Sequence, residues 1–254
     1  IRKQSLDRLI AAIEKPYGMI LNTGPTGSGK TTTLYSILAR LNKPEIKIIT
    51  VEDPIEYQIP GLLQTQTNEE AGYTFATALR ALMRQNPDIL MIGEIRDDET
   101  AEIAVQSAST GHLVLSTLHA NSAAGTVSRL LKMNISGDDL ANAGNLFMAQ
   151  RLVRRLCDTC KQASAPTTEE SALIEKLLAS IAPTTGVDIP ASRTLWKETG
   201  CPQCNGTGYT GRMTITEAMP LDKDIQELIS RGALVHEIEE KAIENGMVTL
   251  AQDG

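Results

Sequence analysis

Short apolar runs alternate along this chain with longer segments in which apolar residues recur every three or four positions. The runs at 19–23, 46–51, 89–93 and 112–118 have the length of buried strands. Helices are predicted at 30–41, at about 74–85, from the cap Asp97 to Gly111, and after Asn121 or Ser122. Strands that alternate with helices predict an α/β fold with a mostly parallel, doubly wound sheet.

The first of these strands runs into the pattern GxxxxGK[ST], and a helix leaves it, which is the context that a phosphate-binding loop requires. Glycines let backbone N–H groups turn inward around an anion, and the helix adds its positive end. Lys30 can reach the outer phosphates, and the Thr31 hydroxyl is placed to ligate Mg²⁺. The predicted nucleotide-binding residues are Gly24, Pro25, Thr26, Gly27, Ser28, Gly29, Lys30, Thr31 and Thr32.

Acidic residues follow two other predicted strands. ILMIG ends in Gly93 and Glu94, where many phosphate-loop enzymes place an acid that holds Mg²⁺ through water or activates the attacking water. Glycine occupies the position where an aspartate often stands, so Glu94 is alone. Glu52, with Asp53 and Glu56 beside it, lies at the carboxyl edge of the neighbouring strand, where open α/β sheets bind ligands.

Two histidines, His112 and His119, flank the strand HLVLSTL. In a regular strand their odd spacing places them on opposite faces, so a shared metal is not expected. His119, at the carboxyl end, is the better candidate for contact with a γ-phosphate. A histidine that serves only the core is the alternative for either position.

The four cysteines form two CxxC pairs, Cys157 with Cys160 and Cys201 with Cys204. This pattern favours a metal site over disulfides. Four thiolates can close a tetrahedral structural zinc site with no open position, although the segment 161–200 between the pairs is longer than in the usual zinc ribbon. Free buried cysteines are the alternative. Arg151 and Arg154, just before the first pair, are expected on a helix.

Composition and charge narrow the function classes. The 254 residues are 41% hydrophobic and 22% charged, as in a soluble globular protein. The formal net charge of −7 argues against a broad nucleic-acid surface. No apolar run approaches the roughly 20 residues of a membrane span. The chain opens with Ile1 and has no signal-like segment, so we expect a fragment of a longer protein.

Four segments together resemble the secretion ATPase superfamily that powers type II secretion and type IV pili. GPTGSGKTTTLY resembles its Walker A motif, ITVEDPIEY its aspartate box, ILMIGEIRD its atypical Walker B motif, and TGHLVLSTLHAN its histidine box. The resemblance covers nearly all of residues 5–254. It implies a RecA-like core that binds ATP and Mg²⁺, with Glu94 as general base and Glu52 and His119 assisting. Arg80, Arg84 and Arg96 also match family positions, for which the resemblance implies contact with the phosphates of a neighbouring subunit; solvated surface arginines are the alternative.

The resemblance also implies a division of the chain and a set of partners. Residues 1–156 would form the RecA-like ATPase core, 157–204 a zinc-binding subdomain with a variable loop, and 205–254 a truncated, helical carboxyl-terminal portion. The expected assembly is a cytoplasmic hexamer that reaches the inner membrane through a platform protein, with no nucleic acid bound. The tetracysteine module resembles the assembly and secretion branch, because retraction ATPases typically lack it.

Other functions remain open at this stage. A pilus-retraction motor and a conjugative or DNA-translocating motor share the core. A GTP switch would need aspartate where Glu45 stands, and a small-molecule kinase would need an acceptor pocket and lid that nothing in the sequence marks. A non-enzymatic scaffold is disfavoured because Lys30 and Glu94 are both present.

Overall fold

The computed structural model describes residues 1–187 and 194–254. The strands are β1 Gly18–Thr23, β2 Ile48–Glu52, β3 Leu63–Gln66, β4 Ile89–Ile92, β5 Leu113–Leu118, β6 Gly144–Leu156, β7 Gln162–Ser164, β8 Leu195–Lys197 and β9 Tyr209–Pro220. The helices are α1 Lys3–Ile13, α2 Lys30–Leu41, α3 Phe75–Leu82, α4 Asp98–Ser109, α5 Ala123–Leu131, α6 Gly137–Ala143, α7 Thr168–Ala179, α8 Lys223–Ser230, α9 Val235–Glu244 and α10 Leu250–Asp253.

Seven of these strands form one sheet in the order β3-β2-β4-β5-β1-β6-β9. All neighbouring pairs are parallel except β6 with β9, which is antiparallel. The predicted α/β fold with a mostly parallel sheet is therefore confirmed. Because parallel strands run in one direction, the carboxyl ends of β1, β2, β4 and β5 meet at one edge.

The core lies on both faces of this sheet. Every residue of β1, β2, β4 and β5 is buried, which explains why these strands are continuous apolar runs rather than alternating ones. One face packs against α3, α4, α5 and α6, and the other against α1 and α2. Helices on both faces agree with the doubly wound arrangement.

Two expectations for the carboxyl half are corrected by the sheet. The helix expected at Arg151 and Arg154 is wrong, because both residues lie on β6, whose segment NLFMAQRLVRRL is apolar enough for either structure. The segment 205–254 also begins with a strand, β9, and becomes helical only at α8. The strand β6 forms because it pairs with β1 and with β9, and such long-range pairing cannot be predicted from a local sequence pattern.

The segment between the cysteine pairs contains α7 and the small antiparallel pair β7–β8. The part of the predicted variable loop at 188–193 lies outside the described residues. Among the helices of the described ranges, none combines the length and the apolar character needed to cross a bilayer.

Candidate nucleotide site and cysteine cluster

The predicted phosphate loop joins the carboxyl end of β1 to the start of α2. Gly29 is the residue before the helix and has no side chain with which to cap it. The first backbone N–H groups of α2, from Lys30 onward, are therefore left for a ligand at the positive end of the helix. The exposed Thr31 and Thr32 lie in this first turn and line the cleft beside the loop.

Two features of the loop fit an anion. Gly24 has a φ of +151°, and a Cβ there would lie 2.5 Å from the Gln150 carbonyl oxygen, so a side chain is excluded. Among the described residues, the buried Ser28 hydroxyl has no hydrogen-bond partner. An unpaired buried polar group is costly unless a ligand satisfies it. The loop therefore has the close backbone packing and the unpaired hydrogen-bonding group that are expected of a phosphate-binding site.

Lys30 folds back over the loop. Its Nζ donates to the carbonyl oxygens of Gly24, at 2.9 Å, and of Pro25, at 3.1 Å. Partial burial lowers the pKa of Lys30, and the nearby Arg151 acts in the same direction, while Glu94 opposes both. The ammonium group is bonded only to neutral carbonyls within the described part of the chain, so an anion can draw it away from them.

Gln150 on β6 is hydrogen-bonded to the phosphate loop. Its Nε2 donates to the Ser28 carbonyl at 2.7 Å, and its Oε1 accepts from Asn22 Nδ2 at 2.9 Å and from Thr33 Oγ1 at 2.8 Å. One buried side chain thus connects β1, the loop and α2. Sequence reasoning missed this residue, because nothing in an apolar segment distinguishes a glutamine that contacts the loop from one that faces water.

Glu94 lies across the cleft from the loop. Arg96 makes a short ion pair with one of its oxygens, and His119 Nε2 lies 3.6 Å from the other. The Arg96 hydrogen bond, helped by the charges of Arg96, His119 and Lys30, holds the pKa of Glu94 below its ordinary value against the effect of burial. Glu94 is therefore ionised at neutral pH, and His119 lies beside it.

Glu52 occupies a different environment at the end of β2. It is buried, and its two oxygens accept from neutral donors: the Tyr35 hydroxyl, Thr50 Oγ1 at 2.5 Å and Gln64 Nε2 at 3.1 Å. Burial, and then the hydrogen bond to Glu52, raise the pKa of Tyr35 far above its ordinary value. No described cation pairs with Glu52, so the two acids of the cleft differ in exposure and in partners.

The glycine at position 93 has a packing reason. A Cβ there would lie 3.3 Å from the Val51 carbonyl oxygen and 3.4 Å from the Glu52 Cα. The Gly93 N–H also donates to that carbonyl at 2.7 Å. An aspartate at this position would press against β2, and the close approach instead brings Glu52 and Glu94 to the same cleft.

The phosphate loop, Glu52, Glu94 and His119 all line one cleft of about 600 Å³. The residues that line it come from the loop, α2, the ends of β2, β4 and β5, and the β6–β9 pair; they include Thr26, Gly27, Gly29, Lys30, Thr31, Thr32, Glu52, Glu94, His119, Leu152 and Arg212. Leu152 and Arg212 were not expected from the sequence. Elsewhere, Arg80 pairs with Glu99 at 2.5 Å, Arg84 is exposed, and His112 contacts the Ser107 carbonyl at the far end of β5.

The four cysteines converge at the outer end of the β6–β9 pair, and their sulfur atoms all lie within 4.8 Å of one another. Three separations are 3.9 Å for Cys157 to Cys201, 3.8 Å for Cys160 to Cys204, and 3.7 Å for Cys201 to Cys204. Tetrahedral zinc with Zn–S bonds of about 2.3 Å requires sulfur separations of about 3.8 Å. These residues could bind a metal, and their geometry fits zinc.

Hydrogen bonds around the sulfurs favour the thiolate at Cys157 and Cys204. Against the effect of a backbone hydrogen bond at Cys204, burial and hydrogen bonds with the Cys204 and Cys160 side chains raise the pKa of Cys201 to about 11. The backbone N–H groups of Cys201 and Gly208 both donate to Cys204 Sγ at 3.2 Å. A hydrogen bond from the Thr210 side chain, with further bonds from the knuckle backbone, lowers the pKa of Cys157 to about 6. Since the thiolate is the metal-binding form, Cys157 and Cys204 are the two cysteines whose surroundings favour binding of a cation.

A mostly parallel sheet that carries a phosphate loop at its carboxyl edge, with two acids facing the loop, defines a phosphate-loop nucleotide-binding protein. The family model described as "Type II/IV secretion system protein" matches residues 1–254, and the chain belongs to this family. The family predicted from the four motifs is thereby confirmed.

Individual relatives agree with this assignment. The chain is 51% identical to the type IV pilus assembly ATPase PilB of Myxococcus xanthus, over 96% of the chain and 42% of that protein. It is 46% identical to the type II secretion system protein HxcR of Pseudomonas aeruginosa, over 98% of the chain and 46% of that protein. The chain thus spans less than half the length of these relatives.

Solved structures share the fold. The pilus retraction motor PilT with bound ADP matches with a TM-score of 0.63 and 26% identity, over 97% of the chain and 63% of that structure. The ATPase DotB of Legionella pneumophila matches with a TM-score of 0.66 and 24% identity, over 97% of the chain and 57% of that structure.

Proposed function

We propose that this chain is the ATP-hydrolysing motor domain of a machine that assembles a type IV pilus or the pseudopilus of a type II secretion system. The observation that carries the proposal is the cleft in which the phosphate loop, Lys30 and two acids face one another. Relatives at 46–51% identity are a pilus assembly ATPase and a type II secretion protein, which supports the choice of machine.

The residues divide the chemistry as follows. Loop N–H groups and Lys30 bind the phosphates of ATP, and Thr31 would hold Mg²⁺, which supplies charge neutralisation at the phosphates. Glu94 accepts the proton of the attacking water, and His119 stabilises the negative charge that develops on the γ-phosphate. Glu52 assists from the end of the neighbouring strand, β2. Arg80 and Arg84 serve a neighbouring subunit of a hexamer, whereas Arg96 acts on Glu94 of its own subunit.

The assembly proposal follows from the same relatives. A cytoplasmic ring of such domains would act on an inner-membrane platform protein and would contact the membrane only through it. The tetracysteine site, filled with zinc, favours an assembly motor over a retraction motor. A DNA-translocating motor is the second candidate, and hydrolysis stimulated by DNA would favour it over the pilus machine.

The test replaces Lys30. Lys30→Ala removes the cation at the outer phosphates, and we expect ATP hydrolysis to be lost. Lys132→Ala, at an exposed position at the end of α5, is the matched control and should hydrolyse ATP at the parental rate. Substantial turnover by Lys30→Ala would remove the loop from the mechanism.

A further inference from the structure

The cysteine cluster and the nucleotide cleft lie on one pair of strands. β1 pairs with β6 as far as Thr23 with Ala149. From Gln150 to Leu156, β6 has only β9 as a neighbour, and this free part of the two strands is called the outer ribbon here. Its inner end holds the phosphate loop through Gln150, and its outer end leads directly to Cys157.

One face of the outer ribbon is directed at the cleft. Gln150, Leu152 and Arg154 alternate onto the same face of β6. Leu152 lies over the loop, since a Cβ on Gly29 would be 3.8 Å from its methyl carbons. Arg212 stands directly opposite Arg154 on β9 and lines the cleft together with Leu152. Leu152 and Arg212 thus add an apolar group and a cation to the part of the cleft beside the loop, and this wall is the candidate contact for the base and ribose of a nucleotide.

Two arginines in direct opposition repel each other. Arg154 is held by a stack over the Tyr209 ring, with its guanidinium carbon 3.9 Å from the ring centroid. Arg212 has no ion-pair partner among the described residues. The stack therefore keeps Arg154 at the outer end of the ribbon, and Arg212 is the arginine of this pair that lines the cleft.

Tyr209 is in turn fixed by the cysteine cluster. The residue before it, Gly208, donates its N–H to Cys204 Sγ at 3.2 Å and accepts from the Cys157 N–H at 2.9 Å. A series of contacts thus runs from the sulfurs through Tyr209 to Arg154, the residue that stands opposite Arg212 in the strand register. The strand pairing shifts register between Arg154 and Leu156, so the ladder alone does not fix this end of the ribbon.

We propose that the tetracysteine site positions the wall that contacts the base and ribose of the nucleotide, through the stack of Arg154 on Tyr209. This inference rests on the proposed function, because it concerns the same bound nucleotide. It assigns Tyr209 and Arg154 as positioning residues, and Leu152 and Arg212 as the groups in contact with the nucleotide.

Comparison of ATP with inorganic tripolyphosphate tests the inference, because tripolyphosphate has the phosphates without base or ribose. Dissociation constants are measured by calorimetry on the zinc-loaded chain. Tyr209→Leu should weaken ATP binding by about tenfold, because Leu152 and Arg212 would no longer be held against the base and ribose, and should leave tripolyphosphate binding unchanged. Tyr209→Phe retains the ring and should restore ATP affinity. Arg212→Ala should show the same ATP-specific loss.

The control is Trp196→Leu, which removes a separate cation–π pair, with Lys161 at 5.2 Å, and should change neither constant. Tyr209→Leu could also release zinc, because Tyr209 is close to the cysteine cluster. Arg154→Ala breaks the same stack without changing a residue beside the cysteines, so it tests the effect of the stack on ATP affinity in the zinc-loaded chain. ATP affinity that stays at the parental value in Arg154→Ala, or an equal loss for both ligands, overturns the inference. A parental chain that binds neither ligand refutes the proposed function instead, and the inference with it.

Discussion

The strongest prediction about this site concerns the loop clamp, the set of hydrogen bonds by which Gln150 joins the phosphate loop to β1 and α2. Gln150→Leu leaves the Ser28 carbonyl and the Asn22 amide unpaired, and both residues are buried. Each unsatisfied buried group costs about 1–3 kcal/mol, so the expected destabilisation is about 3 kcal/mol after a partial gain from the apolar replacement. Thr33 is less buried, and water can replace its bond.

That magnitude can be measured as a melting temperature. For a domain of this size, about 3 kcal/mol corresponds to a decrease of roughly 6–12 °C. ATP affinity should fall together with stability, because the same bonds hold the loop against β6. Gln150→Glu keeps the acceptor for Asn22 and loses the donor to Ser28, so it should weaken ATP binding further by placing a negative charge under the loop.

Gln106→Leu is the matched control, since Gln106 is exposed on α4 and its side chain, among the described residues, bonds only to Glu102. It should leave both the melting temperature and the ATP affinity unchanged. Equal melting temperatures for Gln150→Leu and the parental chain would refute the argument that the clamp is structural. An unchanged ATP affinity would refute its connection to the loop.

Three further predictions concern the acids, the pH dependence and the metal. Glu94→Gln should bind ATP but lose turnover by about 10²-fold or more; a larger loss in Glu52→Gln at equal affinity would place the base on β2. Because the Arg96 hydrogen bond keeps Glu94 ionised below its ordinary pKa of 4.5, turnover should survive as pH falls to that value. Arg96→Ala should move this acid limit to higher pH, and an unmoved limit would show that Glu94 is not the titrating group. Elemental analysis should find about one zinc per chain. Chelation and Cys201→Ser should both lower the melting temperature, because metal binding is coupled to folding, and a metal-free chain with an unchanged melting temperature in chelator would remove the zinc site.

Local patterns were sufficient for the parallel part of the sheet and for the loop. Strands buried on both faces are continuous apolar runs. The glycines at 24, 27 and 29 have positive φ angles, which the local sequence of the loop is sufficient to predict. The carboxyl ends of parallel strands meet at one edge whatever the details of packing. Glu52, Glu94 and His119 could therefore be predicted to share a cleft from their positions alone.

Tertiary structure decided the contribution of β6 and β9. An apolar segment with scattered arginines suits a helix or a strand, and its pairing with β1 and β9 joins residues far apart in the chain. Gln150, Leu152 and Arg212 acquire their positions at the cleft only through that pairing. The partners of the two acids are likewise long-range, since Tyr35 reaches Glu52 from α2. Spacing identifies which residues follow a strand, but side-chain contacts between distant segments are set by packing.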